Sequence, residues 1–374
     1  MAAMPSFSAG SLRADAPLAT PVLLVDVARL EANIATVHSR FAEAGVDLRP
    51  HVKTSKCLEV ARRQRAGGAI GFTCSTPAEV EWLARAGFEN LLWAHQPVGQ
   101  HKVAFAVKAA DLWGVRVIVD SLAVATPLSD EAVRAGAKVE VLLDIDSGQH
   151  RTGVTLDGAV ALGQAVHALP GLRLVGILTH EGHVGASLGR DVRGELGRQV
   201  GADMARVADD LRTNGVPVEV VSVGSTPGWD TAPFAPGVTE GRPGTYVYFD
   251  ANQVRGGTCT LDQCALTVVA SVVSAHPDRV IIDAGLKAMS SDAFTPEVGG
   301  GIVCDLDLNP LPGVRFASAN EEHGFLTGEI SGLAVGDQVR IVPNHACGTV
   351  NMWSGLTAVH ADGHTERWAI EARH

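Results

Sequence analysis

The sequence IGFTCSTPAEVEWLARA, residues 70–86, joins a short apolar run to a helix-forming one. Residues 70–75 have the β-branched and aromatic character of a buried strand. The following residues, 76–86, carry proline in the first turn and apolar residues three and four positions apart, as an amphipathic helix does. The same strand-then-helix unit recurs along residues 20–250. This alternation predicts an α/β domain built on parallel strands.

Eight apolar runs of this kind can be counted. They are residues 48–53, 70–75, 91–95, 115–120, 139–146, 174–180, 218–225 and 245–250. A doubly wound sheet would show the same alternation, but polar residues stand at the ends of these runs, where a barrel builds its active site. Those residues are Lys53, Ser75, His95, Asp120, Asp146, His180 and Ser225. We therefore predict a (β/α)8 TIM-type barrel.

The pattern of apolar and polar residues changes after Asp250. Four runs alternate apolar and polar residues without long helices between them, which is typical of a β domain. They are ALTVVASVVSA at 265–275, RVIIDAG at 279–285, DQVRIVP at 337–343 and HTERWAIEA at 364–372. We predict a barrel over residues 15–255 and a smaller C-terminal β domain over 256–374. The run PVLLVDV at 21–27 could belong to either.

Composition excludes several classes of protein. The 374 residues carry a net charge of −11 without any basic block, which disfavours nucleic acid as a partner. The six cysteines are irregularly spaced and lack a CxxC pair, so we expect no disulfide framework and a cytoplasmic location. No run approaches the about 18 apolar residues of a membrane-spanning helix, and the first residues lack the pattern of a signal peptide.

Two motifs at strand ends could serve a carbonyl cofactor bearing a phosphate. In LRPHVKTSK at 48–56, Lys53 ends a strand, where desolvation would favour its neutral, nucleophilic amine. In VSVGSTPGW at 221–229, Gly224, Ser225 and Thr226 offer backbone amides and two hydroxyls suited to a phosphate. Taken singly, the lysine could be a surface charge and the second motif an ordinary turn.

Three further motifs contain candidate ligands. Arg151 in DIDSGQHRTGV at 144–154 could meet a ligand oxygen or form a structural salt bridge. His180 and His183 in THEGH at 179–183 could be cofactor contacts or hydrogen-bonded rim histidines. In PNHACGTVNMW at 343–353, His345 and Cys347 would share one face of an extended strand and suit Zn²⁺ with open positions, although such pairs are common by chance.

Together these motifs resemble the fold-type III pyridoxal-phosphate enzymes, in particular the D-serine dehydratase and D-threonine aldolase branch. The resemblance covers almost the whole chain. It rests on RPHVKTSK, DIDSGQHRTGV, VGSTPGW, EGRPGTYVY, VIIDAGLKAMSSD, EEHG and PNHAC, which occur in this order. It implies an alanine-racemase-like fold, a divalent metal beside pyridoxal 5'-phosphate and, since related enzymes often build the site across a dimer, a homodimer.

The resemblance also implies roles for single residues. Lys53 matches the Schiff-base lysine, and the phosphate loop corresponds to Gly224, Ser225 and Thr226. Tyr248 matches a tyrosine that reaches the phosphate, and Arg151 an arginine near the phenolic oxygen. His183 is retained as a cofactor-binding candidate. His345 and Cys347 match the metal pair, for which Zn²⁺ is our first choice and Mn²⁺ or Mg²⁺ the alternatives.

The expected activity is a lyase reaction on a D-3-hydroxy amino acid. Dehydration of D-serine or 3-hydroxyaspartate is favoured over D-threonine aldol cleavage, because aldolase-like relatives tend to carry aspartate where this chain has Cys347. Gly348 departs from the proline that usually follows in dehydratases. A racemase would need a second base, usually a tyrosine of the β domain, and Tyr246 and Tyr248 were assigned to the barrel. A non-catalytic cofactor carrier is typically a lone barrel, and a pure metal-binding protein would not need Lys53.

Overall fold

The structure is a computed structural model that describes residues 18–185, 188–292, 294–295 and 297–373. The chain divides into two compact units. Among the described residues, the barrel unit is Thr36–Gly244 with Ala372 and Arg373, and the β unit is residues 18–35 with Thr245–Glu371. The chain enters through β1 (Val22–Asp26) and passes from the β unit to the barrel unit within α1 (Val27–Ala44).

The barrel unit is built on a parallel sheet. In chain order its strands are β2 (Asp47–Leu48), β3 (Phe72–Cys74), β4 (Leu91–Trp93), β5 (Arg116–Val119), β6 (Val139–Asp146), β7 (Val154–Thr155), β8 (Leu172–Leu178), β9 (Val220–Val223) and β10 (Glu240–Gly241). The strand order is β2-β10-β9-β8-β6-β5-β4-β3, with β7 beside β6. A parallel bridge between His51 and Thr73 joins the chain after β2 to β3, which links the two ends of the sheet.

Helices alternate with these strands, as the sequence pattern requires. They are α2 (Leu58–Ala66), α3 (Pro77–Arg85), α4 (Gln100–Trp113), α5 (Leu122–Ala135), α6 (Ala159–His167) and α7 (Arg190–Thr213). Thr76 caps α3 by accepting the backbone N–H of Glu79, and Pro77 occupies its first turn. In the described part of the chain, no helix combines the length and the apolar character that crossing a membrane would require.

The predicted (β/α)8 class is confirmed, but one of its strands was misplaced. Residues 245–250 were predicted as the eighth strand; instead Thr245–Val247 form a 3-10 turn, and the strand that pairs with β9 is Glu240–Gly241. The first strand is also shorter than predicted, because Val52–Thr54 form another 3-10 turn. Both turns follow a proline, which has no N–H to donate to a ladder.

The described part of the β unit is built on a nine-stranded sheet with three short helices. Its remaining elements are α8 (Ala251–Arg255), β11 (Leu266–Ala275), β12 (Val280–Ile282), α9 (Leu286–Met289), β13 (Gly301–Cys304), β14 (Val314–Ala319), β15 (Gly324–Gly328), β16 (Gln338–Pro343), α10 (Ala346–Asn351), β17 (Gly355–Val359) and β18 (Thr365–Ala369). The long β11 pairs antiparallel with β1, β12 and β16, while β1 pairs in parallel with β17. The run at 21–27 therefore contributes its strand to this sheet.

Candidate active site

Lys53 lies on a tightly held 3-10 turn of the barrel unit. His51 precedes this turn, and its Nδ1 accepts the backbone N–H of Lys53 at 3.4 Å. Gly244 packs against the turn so closely that a Cβ there would stand 3.0 Å from the His51 carbonyl oxygen and 2.9 Å from Thr54 Oγ1. Neighbouring chain segments thus fix the backbone at Lys53. The side chain of Lys53, which ends in the amine, is half-buried.

Positive charge collects around Lys53. Burial lowers the pKa of His51 well below its ordinary value, and Lys53, Arg242, His180 and Arg151 lower it further. Burial and, to a smaller extent, the charge of Lys53 lower the pKa of His180 to about 3, although its hydrogen bond to Gly224 acts to raise that pKa. The charge of Arg242 is offset by nearby carboxylates, so Lys53 and Arg151 are the cations left to attract an anionic ligand beside these imidazoles. Pyridoxal phosphate, with its phosphate and phenolic oxygen, fits this charge distribution.

The neutral form of His180 has a defined hydrogen bond. Its Nδ1 lies 2.6 Å from the carbonyl oxygen of Gly224, 44 residues away in sequence. A carbonyl only accepts, so Nδ1 carries the proton and Nε2 is left as an acceptor. His180 therefore connects the end of β8 to the start of the loop after β9.

A pH dependence of stability follows from His180. Its folded-state pKa, about 3, lies below the 6.5 of an ordinary histidine, so the unfolded chain binds more protons between these values. Stability is therefore present above pH 6.5 and is lost as the pH falls toward 3, by up to about 1.4 kcal/mol per unit. We expect the urea midpoint of the cofactor-free protein to fall between about pH 7 and 5, and His180→Gln to flatten that slope. Parallel profiles for the two proteins would contradict this assignment.

Arg151 lies on a loop that its own sequence shapes. Asp146 ends β6 and its Oδ1 accepts the N–H groups of Gly148 and His150 at 2.9 and 3.0 Å. A Cβ at Gly153 would stand 2.5 Å from the Asp146 backbone nitrogen, so the loop must close with glycine. These contacts hold the loop while leaving the Arg151 side chain exposed.

The residues expected to bind phosphate form a compact loop after β9. Ser225 Oγ accepts the N–H of Gly228 at 3.1 Å, and Thr226 Oγ1 accepts the N–H of Gly244 at 3.3 Å. Gly224 has no room for a side chain, because a Cβ would stand 2.6 Å from the Cβ of Arg242. Both hydroxyl residues are buried, as donors to a sequestered anion would be.

His183 and Tyr248 are two further predicted cofactor contacts. His183 lies against the Arg151 loop, with Nε2 3.2 Å from where a Cβ of Gly148 would stand. Tyr248, expected in the barrel, belongs to the β unit, where it is fully buried and its carbonyl accepts the N–H of Ala265. The roles of both residues remain predictions.

The predicted metal pair is close together, but not on a strand. His345 is the extended N-cap residue of α10, and Cys347 lies in the first turn of that helix. The extended-strand argument for their common face was therefore wrong. Their side chains nevertheless hydrogen-bond to each other. Asp250 fixes the start of the helix, since its Oδ2 accepts the N–H of Ala346 at 3.0 Å.

The charges around His345 suit a cation. Burial disfavours its protonated form, but Cys347, Asp250 and Asp292 outweigh burial and raise the His345 pKa to about 10. Asp292 Oδ2 also pairs with His345 Nδ1, which leaves Nε2 for a metal. Within the described ranges, no set of three His, Cys, Asp or Glu side chains is arranged to hold a metal. Two protein ligands with open positions fit a catalytic ion better than a structural one.

Several of the surrounding residues were missed in the sequence. His51 stands within the lysine motif, Glu181 beside His180, and Asp292 at the end of VIIDAGLKAMSSD. Each has a titratable side chain inside a motif already singled out, which is the signal that could have found it. Arg242, in EGRPGTYVY, was missed because its guanidinium is buried beside Glu240 of the same motif and near Glu181 and Asp144, which are distant in sequence.

Comparison with known protein families agrees with both units. Residues 25–252 match the alanine racemase N-terminal domain, and residues 265–359 match the serine dehydratase domain. D-threo-3-hydroxyaspartate dehydratase of Delftia sp. (strain HT23) is 38% identical over 373 residues, covering 94% of this chain and 97% of that protein. D-threonine aldolase of Arthrobacter sp. is 34% identical, covering 95% of this chain and 92% of that protein.

Comparison with solved structures also finds a dehydratase of this kind. The structure of the Delftia dehydratase superposes with a TM-score of 0.89 at 37% identity, covering 94% of this chain and 97% of that one. The fold and the site define a fold-type III protein that combines a racemase-type barrel with a β domain. The chain belongs to the alanine racemase N-terminal domain family, in the group that also carries a serine dehydratase domain.

Proposed function

We propose that this protein is a pyridoxal-phosphate- and metal-dependent lyase that acts on D-3-hydroxy amino acids. The observation that carries the proposal is the placement of Lys53 and Arg151 near His51 and His180, with His180 hydrogen-bonded to the loop of amides and hydroxyls that begins at Gly224. The names of the relatives support the same class, since they are dehydratases and aldolases of hydroxy amino acids.

The proposed roles follow from the chemistry of each group. Bound pyridoxal phosphate supplies an electron sink for charge that develops at the substrate Cα. The Nζ amine of Lys53 would hold the cofactor, and the same amine is the base that we propose accepts the proton of the substrate Cα. Gly224, Ser225 and Thr226 bind the phosphate. His345 and Cys347 would hold a divalent metal, which supplies a Lewis acid for the β-hydroxyl.

We propose dehydration as the main reaction, with D-threo-3-hydroxyaspartate or D-serine as substrate. In dehydration the Cα–H and Cβ–O bonds break and water leaves; water then hydrolyses the C–N bond of the released enamine, which gives a 2-oxo acid and ammonia. In aldol cleavage the Cα–Cβ bond breaks instead and gives glycine and an aldehyde. The thiol of Cys347 supports dehydration, as does the 38% identity to a hydroxyaspartate dehydratase.

Product analysis tests this choice. The purified protein, loaded with pyridoxal phosphate and Zn²⁺, Mn²⁺ or Mg²⁺ in turn, is incubated with D-3-hydroxyaspartate, D-serine and D-threonine. We expect ammonia and a 2-oxo acid from at least one of the first two substrates, and little glycine. Glycine with aldehyde as the main products would assign an aldolase. Interconversion of enantiomers without either product would contradict the lyase proposal.

The identity of the metal and the oligomeric state are also part of this proposal. Zn²⁺ suits an imidazole and a thiolate best, and a variant of a D-threo-3-hydroxyaspartate dehydratase has been solved in a form described as metal-free. The small-molecule substrate needs neither nucleic acid nor a membrane as partner. We propose a cytoplasmic homodimer, which size-exclusion chromatography with light scattering would test.

A further inference from the structure

Glu181 is a fully buried carboxylic acid next to the phosphate loop, defined as residues 224–228. Its Oε2 accepts the backbone N–H of Gly224 at 2.9 Å. Its Oε1 lies 3.0 Å from where a Cβ of Gly228 would stand. One carboxyl group therefore contacts both ends of the five-residue loop.

Ser225 connects the middle of the loop to the same carboxyl. Its hydroxyl accepts the N–H of Gly228 at 3.1 Å and lies near enough to the Glu181 carboxyl to lower the pKa of that acid. Gly228 in turn leaves just enough space for the carboxyl, which a side chain would crowd. The loop is thus folded around Glu181 by three separate contacts.

An acid in this position would repel a phosphate if it were ionised. Burial raises the pKa of Glu181, although the Gly224 amide and the Arg242 guanidinium act in the opposite direction. The Gly224 amide and the Ser225 hydroxyl act as donors toward this carboxyl, and the positive charge of Arg242 offsets its charge. Glu181 can therefore shape an anion-binding loop beside a compensating guanidinium.

We propose that Glu181 is a positioning residue that holds the phosphate loop in the conformation that receives the cofactor's phosphate group. It acts through Gly224, Ser225 and Gly228 and does not itself touch the cofactor. The inference rests on the proposed function, because it assumes that this loop binds the phosphate of pyridoxal phosphate.

A comparison of two aldehydes separates this role from a merely structural one. Pyridoxal phosphate and pyridoxal attach to the same lysine amine, but only the first bears a phosphate. Loss of loop geometry should weaken the first selectively. General damage to the barrel should weaken both to the same extent.

The experiment measures the affinity of each aldehyde for wild type, Glu181→Ala and Glu181→Gln by absorbance titration. We expect Glu181→Ala to weaken pyridoxal phosphate about tenfold or more, the effect of a lost buried hydrogen bond, with little change for pyridoxal. Glutamine keeps an acceptor and a donor and should restore most of the affinity. Gly228→Ala, which crowds the carboxyl, should reproduce the selective loss and provides a second variant if Glu181→Ala does not fold.

The outcomes are distinct. Wild type that binds both aldehydes, with variants that lose neither or lose both equally, would overturn the role of Glu181 and leave the proposed function standing. Selective loss that glutamine fails to restore would also overturn it. Wild type that binds neither aldehyde would overturn the proposed function, and this inference with it.

Discussion

Lys53→Ala is expected to abolish lyase turnover, with kcat falling by at least about 10⁴-fold. The substitution removes both the amine that attaches the cofactor and the base that accepts the Cα proton. The visible absorption of the cofactor-loaded protein should disappear with it. Initial rates of ammonia formation and an absorption spectrum, recorded on the same preparation, check both effects.

Lys108→Ala is the matched control for this variant. Lys108 lies exposed on α4, so its loss removes the same charge without touching the site. It should retain wild-type rates and absorption. Substantial turnover by Lys53→Ala, with Lys108→Ala unchanged, would remove Lys53 from the catalytic role.

His345→Ala is expected to cause the second large loss, in metal affinity. It deletes one of the two proposed protein ligands, and we expect the metal to bind more than about 100-fold more weakly. Turnover should fall with it, while pyridoxal phosphate remains attached to Lys53. Isothermal titration with Zn²⁺ and metal analysis after dialysis measure the first effect, and absorption measures the second.

His364→Ala controls for incidental metal binding by histidine, because His364 is exposed at the turn between β17 and β18. It should bind metal as wild type does. Chelation of the wild-type protein should reproduce the His345→Ala phenotype. Activity that survives both the chelator and His345→Ala would exclude a metal from the reaction.

The barrel could be predicted because its strands alternate regularly with helices and end in polar residues. The eighth strand was misplaced because TYVYFD at 245–250 has the composition of a strand. In the structure these residues lie in a turn region where Tyr246, Val247 and Phe249 are buried by packing. Tertiary contacts there override local propensity, whereas Glu240–Gly241 is too short to form a recognisable pattern.

The candidate site was predicted less completely than the fold. The proposed nucleophile, phosphate loop and metal ligands belong to local motifs, so the sequence alone could suggest them, and their roles stay predictions. Glu181 and Asp292 act through partners 43 and 53 residues away, and sequence alone does not show that such acids face a loop or an imidazole. The predicted extended conformation of His345 and Cys347 was wrong for a related reason. The carboxylate of Asp250, distant in sequence, accepts the N–H of Ala346 and so allows a helix to begin there.

The proposed function depends most on the attachment of pyridoxal phosphate to Lys53. The most direct measurement is borohydride reduction of the cofactor-treated protein, followed by proteolysis and mass spectrometry of the peptides. We expect one modified lysine, Lys53, in the peptide that contains RPHVKTSK. An unmodified Lys53, or cofactor fixed mainly at other lysines, would contradict it.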